Sequence, residues 1–271
     1  MPKQAATSKV HWSKYAELLD HAAEWKQRLE SVKSQPPAPD TTWYAYDILS
    51  NLWHLKHLIE RLPESTLDLF RSGHVADIGA ADGDLSYFFE HMGMTVDLID
   101  WPATNWNGLE GARALGQRLD SSNVSIHEID MDTQFRLPSE YYDVAFFLGI
   151  LYHLKNPFYI LEALARHCRF CFLSTRIARQ TADRGLKLEA APVAYLLGPE
   201  ECNNDPTNFW IFSAPGLIRL AERSGWNVRA SCRVGDTESS EPGSPEHDER
   251  MFLALESRFW QIDDKSAGVD Q

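Results

Sequence analysis

Three groups of residues have the types and the spacing for chemistry. The first is Val75-Ala-Asp77-Ile-Gly79-Ala-Ala81-Asp82-Gly83-Asp84, where an apolar strand ends in a glycine-containing turn and opens a helix. Gly79 and Gly83 let a backbone bend tightly and approach a ligand; a plain strand–helix turn needing two glycines is the simpler alternative. A dinucleotide fingerprint needs glycine at relative positions one, three and six, and here those positions are Gly79, Ala81 and Asp84. Asp84 at the start of a helix puts a carboxylate where a pyrophosphate should sit, which argues for a ligand that is cationic or phosphate-free at that end. The second group is Asp100, closing Val96-Asp97-Leu98-Ile99-Asp100. A carboxylate at the end of a second strand can accept both hydroxyls of a ribose, or it can be a turn residue before Pro102. The third is Ile129-Asp130-Met131-Asp132, where an acid can accept from an amino group while Met131 packs on a ring, or where the chain makes an acidic surface loop.

The elements that must position these groups follow from periodicity. Trp12, Tyr15, Leu18, Ala22, Trp25, Leu29 and Val32 recur every three or four residues and predict an amphipathic helix. Gln35-Pro36-Pro37-Ala38-Pro39 breaks it, and Ile48, Leu52, Leu55, Ile59 and Leu62 mark a second helix ending at Pro63. Apolar strands are expected at His74–Ile78, Thr95–Ile99, Val124–Glu128, Tyr142–Leu148 and Phe170–Thr175. Helices are expected between them at Asp84–His91, about 106–119 and about 156–167. Strands separated by helices predict a parallel sheet covered on both faces. A helix over Ser213–Ser224 and two strands, Trp226–Val234 and Met251–Ser257, complete the pattern. The loop joining those strands, Gly235–Glu249, carries six acidic residues and three serines and is expected to be solvated and mobile. Ile177–Phe209 has little pattern, which inside a compact domain predicts a functional cover or an inserted helix.

Composition excludes several classes. Apolar residues make up 44% of 271 and charged residues 24%, ordinary for a globular domain with a sizeable core. No run of 18 apolar residues exists, so no membrane span is expected, and Met1–Tyr15 lacks a signal-peptide apolar region, making the cytoplasm the default compartment. Lys and Arg number 26 against 39 Asp and Glu, a net charge of −13 that disfavours nucleic acid as partner. Four cysteines are no disulfide scaffold; Cys168 and Cys171 form a C-x-x-C with no partner set for zinc, so packed thiols are expected. His54 and His57 sit three apart on a helix without a third ligand, so no metal is expected.

The acid-ended strands and the Gly-x-Ala-x-Gly turn resemble class I S-adenosylmethionine (SAM) methyltransferases over about residues 70–258. The resemblance implies a Rossmann-like, seven-stranded, mostly parallel doubly wound α/β sheet. It also implies an N-terminal helical extension (1–69), an insert at 177–209 and a tail (259–271). It implies SAM as cofactor, with Asp77, Gly79, Ala81 and Gly83 at its amino-acid end and Asp100 at its ribose. Trp101, Asp130, Met131 and Leu148 are then expected around the adenosine and the sulfonium. Phe147-Leu-Gly-Ile-Leu-Tyr152-His153-Leu-Lys-Asn-Pro157, Asn208-Phe-Trp210-Ile-Phe-Ser213 and Arg250 further resemble the tRNA wobble-uridine carboxymethyltransferase group. That group's carboxy-SAM members carry a lysine–glycine–proline signature ahead of the core, which Thr41–Leu62 lacks. The reading is therefore methyl transfer from SAM to a small-molecule acceptor, oligomeric state open. Tyr152 and His153 are expected at the reacting centre, with Tyr152, Trp210 and Arg250 on the acceptor. His153 is either a base or a loop cap. The alternatives are tRNA modification with carboxy-SAM and a SAM-fold binding protein without turnover.

Overall fold

The computed structural model describes residues 12–133 and 135–260. Its framework is a sheet whose central path runs β3 (Val124–Glu128), β2 (Thr95–Asp100), β1 (His74–Ile78), β4 (Tyr142–Leu148), β5 (Cys168–Ile177). These strands are parallel and short, and their apolar runs are buried from both sides. β9 (Glu249–Ser257) runs antiparallel along the other edge of β5, and β8 (Trp226–Gly235) pairs antiparallel with β9. Those seven strands are the doubly wound sheet that the alternation predicts. Two more, β6 (Ala194–Leu196) and β7 (Trp210–Phe212), form a hairpin inside the 177–209 region and its border. β7 joins β5 only at Ile177, beyond the point where β4 has ended opposite Ser174. The hairpin thus prolongs the sheet past the carboxyl end of β4, and the unpatterned region is a cover made of strands rather than an inserted helix.

Strand alternation divides the core. Val75, Val96, Val144, Phe146, Phe172 and Phe252 face α1 (Tyr15–Val32), α2 (Asn51–Ile59) and α3 (Asp84–His91). Ala76, Ile78, Ala145, Phe147, Leu173 and Leu253 face α5 (Pro157–His167) and α6 (Ala214–Arg223). α4 (Glu110–Leu119) sends Leu115 into the first layer. The N-terminal helices are part of that layer: the Tyr15 hydroxyl donates to the Leu52 carbonyl at 2.9 Å, and Trp25 stacks on His91 with ring centroids 4.6 Å apart. After α1 the chain is clamped. Trp43 lies between two cations, Lys33 at 5.1 Å and Arg118 at 5.2 Å, and Arg118 also donates to the carbonyls of Val32, Gln35 and Pro36.

Three expectations need correction. The fourth helix starts at Glu110 rather than near 106, because Gly108 and Leu109 adopt positive φ (64° and 69°) and hold the chain out of helix. β5 reaches from Cys168 to Ile177, because β9 pairs with it through Arg176 and Ile177. The acidic loop 235–249 is folded rather than solvated: Ser240, Glu241 and Glu249 are 0%, 5% and 0% exposed. Its acids serve as internal acceptors, Glu249 taking the Ser240 hydroxyl at 2.6 Å and Asp236 taking His247 Nδ1 at 2.8 Å. The expected tail lies outside the described residues except for Phe259 and Trp260.

Candidate active site

The chain winds outward from β1 to β3 and then crosses to β4, so the crevice between β1 and β4 is the switch point at which such sheets bind ligands. The glycine turn closes one side of it. Gly79 has φ 69°, and a Cβ there would stand 2.2 Å from Ile150 Cγ1. Gly83 has φ 80°, and a Cβ there would meet Leu98 Cδ1 at 2.7 Å. Between them Ala81 holds φ 55°, a strained value for a residue with a side chain. Its N–H donates to Asp100 Oδ2 at 3.1 Å, which fixes that conformation.

Asp100 ends β2 and is buried. Its Oδ2 also accepts Asn105 Nδ2 at 3.0 Å, and its Oδ1 accepts the Trp101 N–H at 2.7 Å. A carboxylate offers about four acceptor positions, so one remains. Burial raises its pKa, and the three hydrogen bonds oppose the rise. Asp77 is buried under α3 and accepts the Ser86 hydroxyl at 2.6 Å; desolvation pushes its carboxyl up to about 7. Asp82 and Asp84 share Lys33 Nζ, at 3.2 and 2.5 Å.

Asp77, Asp82, Asp84 and Asp100 are each at most 9% exposed and have Lys33 as their only cationic partner among the described residues. Such an excess of buried negative charge suits a ligand bearing an ammonium and a sulfonium, and it rejects a pyrophosphate. The cradle at Gly79 and the open position on Asp100 fit the same ligand.

The other residues expected on the donor side are spread over neighbouring loops. Asp130 follows β3, and its Oδ1 accepts the Asp132 N–H at 3.0 Å; Met131 is buried against the α5 layer. Trp101 is half-buried. Trp106 is 73% exposed, its indole donating to Thr42 Oγ1 at 3.1 Å and its N–H to the Tyr44 hydroxyl at 2.6 Å. The Tyr44 N–H in turn donates to Asp82 Oδ2 at 2.8 Å. Residues 42–44 therefore strap the glycine turn to the loop after β2. Tyr44 belongs to the aromatic set Trp43, Tyr44, Tyr46, Trp53, Phe209 and Trp210 whose composition suggests an acceptor pocket, but here it straps the glycine turn; Lys33 was missed, and nothing local in the sequence marks it.

On the other side, β4 ends at Leu148 and Gly149, and Ile150 covers Gly79. A single 3-10 turn, Leu151–His153, follows. Tyr152 is buried, and its carbonyl accepts the Phe209 N–H at 2.8 Å, tying this turn to the hairpin. His153 Nδ1 lies 3.1 Å from both the carbonyl and the hydroxyl of Thr207, whose hydroxyl donates to Asp205 at 2.7 Å. A carbonyl only accepts, so Nδ1 carries the proton and Nε2 the lone pair. Burial lowers the His153 pKa. Arg250 Nε donates to Asp248 Oδ2 at 3.1 Å, and the Asp248 Oδ1 meets Arg176 Nε at 2.5 Å. Arg176 was missed; a charged residue inside the run Phe170–Ile177 is the signal that could have found it. Trp210 points elsewhere, into a cavity of about 240 Å³ that Phe158, Phe212 and Arg219 also line.

Among the described residues no group of His, Cys, Asp and Glu is arranged to hold a metal. His54 packs its ring 5.1 Å from Phe252, and Cys168 and Cys171 are buried free thiols whose pKa burial raises. Among the described residues no helix is long and apolar enough to cross a membrane.

Residues 52–231 match the family described as a methyltransferase domain. The chain belongs to that family and is a SAM-dependent methyltransferase. No curated protein matches it in sequence. Among solved structures it resembles the N-terminal domain of EvdMO1 in the presence of SAH and D-fucose. The TM-score there is 0.54 at 14% identity, covering 87% of this chain and 97% of that one. It also resembles the [4+2]-cyclase SpnF, with a TM-score of 0.55 at 13% identity, covering 89% and 94%. A SAM-dependent methyltransferase from Mesorhizobium loti gives a TM-score of 0.50 at 13% identity, covering 73% and 95%.

Proposed function

We propose that this protein transfers the methyl group of SAM to a small-molecule acceptor held between the 3-10 turn after β4 and the β6–β7 hairpin. The observation that carries the reading is the cluster of four buried carboxylates with one cation around a turn whose glycines leave no room for a Cβ. Bound there, SAM supplies an electrophilic methyl on a sulfonium. Asp77, Gly79, Ala81 and Gly83 shape the place of its amino-acid end, and Asp100 offers one acceptor position to its ribose. Asp130, Met131, Trp101 and Leu148 line the adenosine and sulfonium sides.

The protein's share of such a displacement is positioning and exclusion of water. Ile150, Tyr152 and the hairpin supply the apolar cover. A protic acceptor must lose a proton as the new bond forms, and His153, whose Nδ1 is engaged by Thr207, is the base this reading assigns to it through Nε2. The resemblance to EvdMO1, which was crystallised with SAH and D-fucose, supports a small acceptor. The juxtaposition of Tyr152 and Arg250 favours one second reading, a carboxylated donor used on tRNA. The net charge of −13 weighs against it.

Calorimetry with SAM and SAH tests the donor site. SAM should bind in the micromolar range, and Asp100→Ala should weaken it by roughly 1–3 kcal/mol, the usual cost of losing a charged acceptor. Equal binding by parent and variant would show that the ribose lies elsewhere.

A further inference from the structure

Antiparallel pairing of β5 and β9 sets Arg176 directly opposite Arg250. Like charges facing each other across a strand pair are unfavourable unless something lies between them. What lies between them is one carboxylate, Asp248, reached by Nε of both arginines at 2.5 and 3.1 Å. Arg176 is 3% exposed, and its Nη1 has only the neutral thiol of Cys202, at 2.8 Å. Among the described residues neither Nη of Arg250 meets a carboxylate or a carbonyl. Two guanidinium groups against one carboxylate leave one uncompensated positive charge with donors to spare, shared between a buried Arg176 and a partly exposed Arg250. His54, on the facing helix, is itself pushed toward neutrality by burial, with His57 and Arg250 adding to the effect.

This charge sits at the crevice and not away from it. Arg250 Nη1 is 3.6 Å from where a Cβ on Gly149 would stand, so the guanidinium lies over the exit of β4. The next residue, Ile150, covers Gly79 of the donor turn. Tyr152 is buried on the 3-10 turn that follows Gly149 and Ile150, so it enters the crevice from the same exit of β4. The crevice is thus polarised: carboxylates gather at the donor turn and guanidinium groups at the opposite wall.

We propose that Arg176, Arg250 and Tyr152 form an oxyanion subsite that grips a carboxylate or phosphate carried by the acceptor. The proposal rests on the methyl-transfer reading of the same crevice and names the class of acceptor: a small acid, not a neutral sugar or an amine. Planar guanidinium forks bind such groups bidentately. Here the anion offsets the surplus charge, so a neutral acceptor leaves that charge unpaired and a cationic one is repelled. The anion is a handle; the methylated atom lies elsewhere on the acceptor, toward His153.

The test titrates sodium benzoate and, separately, inorganic phosphate into the full-length protein against sodium chloride at matched ionic strength. It is run with and without saturating SAH, reading melting temperature and heat of binding. One of the two anions should raise the melting temperature with a saturable dependence that chloride lacks, and which of them does so distinguishes a carboxylate from a phosphate handle. Arg250→Gln should weaken that anion by about tenfold or more while SAH binds as before, the size expected for losing a charge-assisted fork. Arg176→Gln removes a buried side chain and so perturbs the fold as well as the subsite, which leaves the decision to Arg250→Gln and the chloride control. No saturable response in the parent, or an equal response in Arg250→Gln, overturns the proposal. So does a carboxylated donor that outcompetes SAM only while Arg250 is present, because the subsite then serves the donor. Loss of SAH binding with the anion response intact sinks the donor reading alone.

Discussion

Asp77 is the residue whose replacement separates stability from function most sharply. Its carboxyl is almost wholly buried, and desolvation lifts it from an ordinary 3.8 to about 7, with Asp100 and Asp84 adding to the rise and Ser86 opposing it. Between those two values the folded protein holds a proton that the unfolded chain has released, so stability falls as pH rises. Over the whole interval the cost approaches roughly 4 kcal/mol, and between about pH 5 and about pH 8 it comes to roughly 2–3 kcal/mol. Asp77→Asn keeps an oxygen for the Ser86 hydroxyl and has nothing to titrate. It adds an amide N–H₂ whose unmet hydrogen bonds cost about 1–3 kcal/mol at every pH. The informative quantity is therefore the change with pH in the gap between variant and parent. Melting temperatures measured from about pH 5 to about pH 8 should shift in favour of the variant by roughly 5–10 °C, taking 2–4 °C per kcal/mol for a chain of this size. SAM affinity should rise with pH in the parent, as Asp77 gains the charge that a cationic ligand rewards, and should be weaker and flatter in Asp77→Asn. Parallel melting curves across that range would falsify the claim that burial holds a proton on Asp77, and the electrostatic argument for the donor turn would fall with it.

Other outcomes follow from the same contacts. Lys33→Met leaves Asp82 and Asp84 buried without a cation, so it should destabilise the protein by about 3 kcal/mol near pH 8 and less near pH 5, where Asp84, already raised by burial, takes up a proton; a pH-independent loss would mean only packing was removed. Deleting residues 1–40 removes Trp25 from His91 and Tyr15 from Leu52, and should lower both melting temperature and turnover; unchanged values would make the first helix dispensable. With a protic acceptor, His153→Gln should lower kcat by about 10²–10⁴ and abolish an acidic limb lying below the ordinary histidine value, since burial lowers its pKa; full turnover in the variant would leave His153 as a tie to the hairpin alone.

The parts that sequence made legible are local. The runs His74–Ile78, Val124–Glu128 and Tyr142–Leu148 end where the strands end, because short apolar segments bounded by turn residues have one way to be buried on both faces. The donor turn and Asp100 lie within two adjacent strands, so the bond from Ala81 to Asp100 was within reach of a motif reading. Contacts made across the fold were not. Tyr44 reaches Asp82 across a linker, and Arg176 finds its carboxylate in a loop that composition alone assigns to solvent. The acids of that loop look solvated as a string, and only the pairing of β8 with β9 shows that Glu249 must be inside. The segment around Trp210 is legible as one that meets the turn after β4, since the Phe209 N–H binds the Tyr152 carbonyl, whereas the cavity that Trp210 borders is formed with Phe158 and Arg219 from distant parts of the chain.

That asymmetry says why the donor can be argued more firmly than the acceptor. The donor turn is built from backbone conformation and consecutive acids, features that short-range sequence encodes. The proposed acceptor wall draws Tyr152, Arg176, Thr207 and Arg250 from separate elements: the β5–β9 pairing sets Arg176 opposite Arg250, and the loop ahead of β7 brings Thr207 to His153. SpnF, a protein of similar fold, is described as a [4+2]-cyclase, so fold alone does not fix what happens above the donor. What narrows the choice is the charge pattern across the crevice. An acidic turn on one wall fits a cationic donor, and an underpaired arginine couple on the other fits an anionic acceptor. On the proposed reading the two ligands would attract each other, and that attraction would favour the close approach that methyl transfer requires.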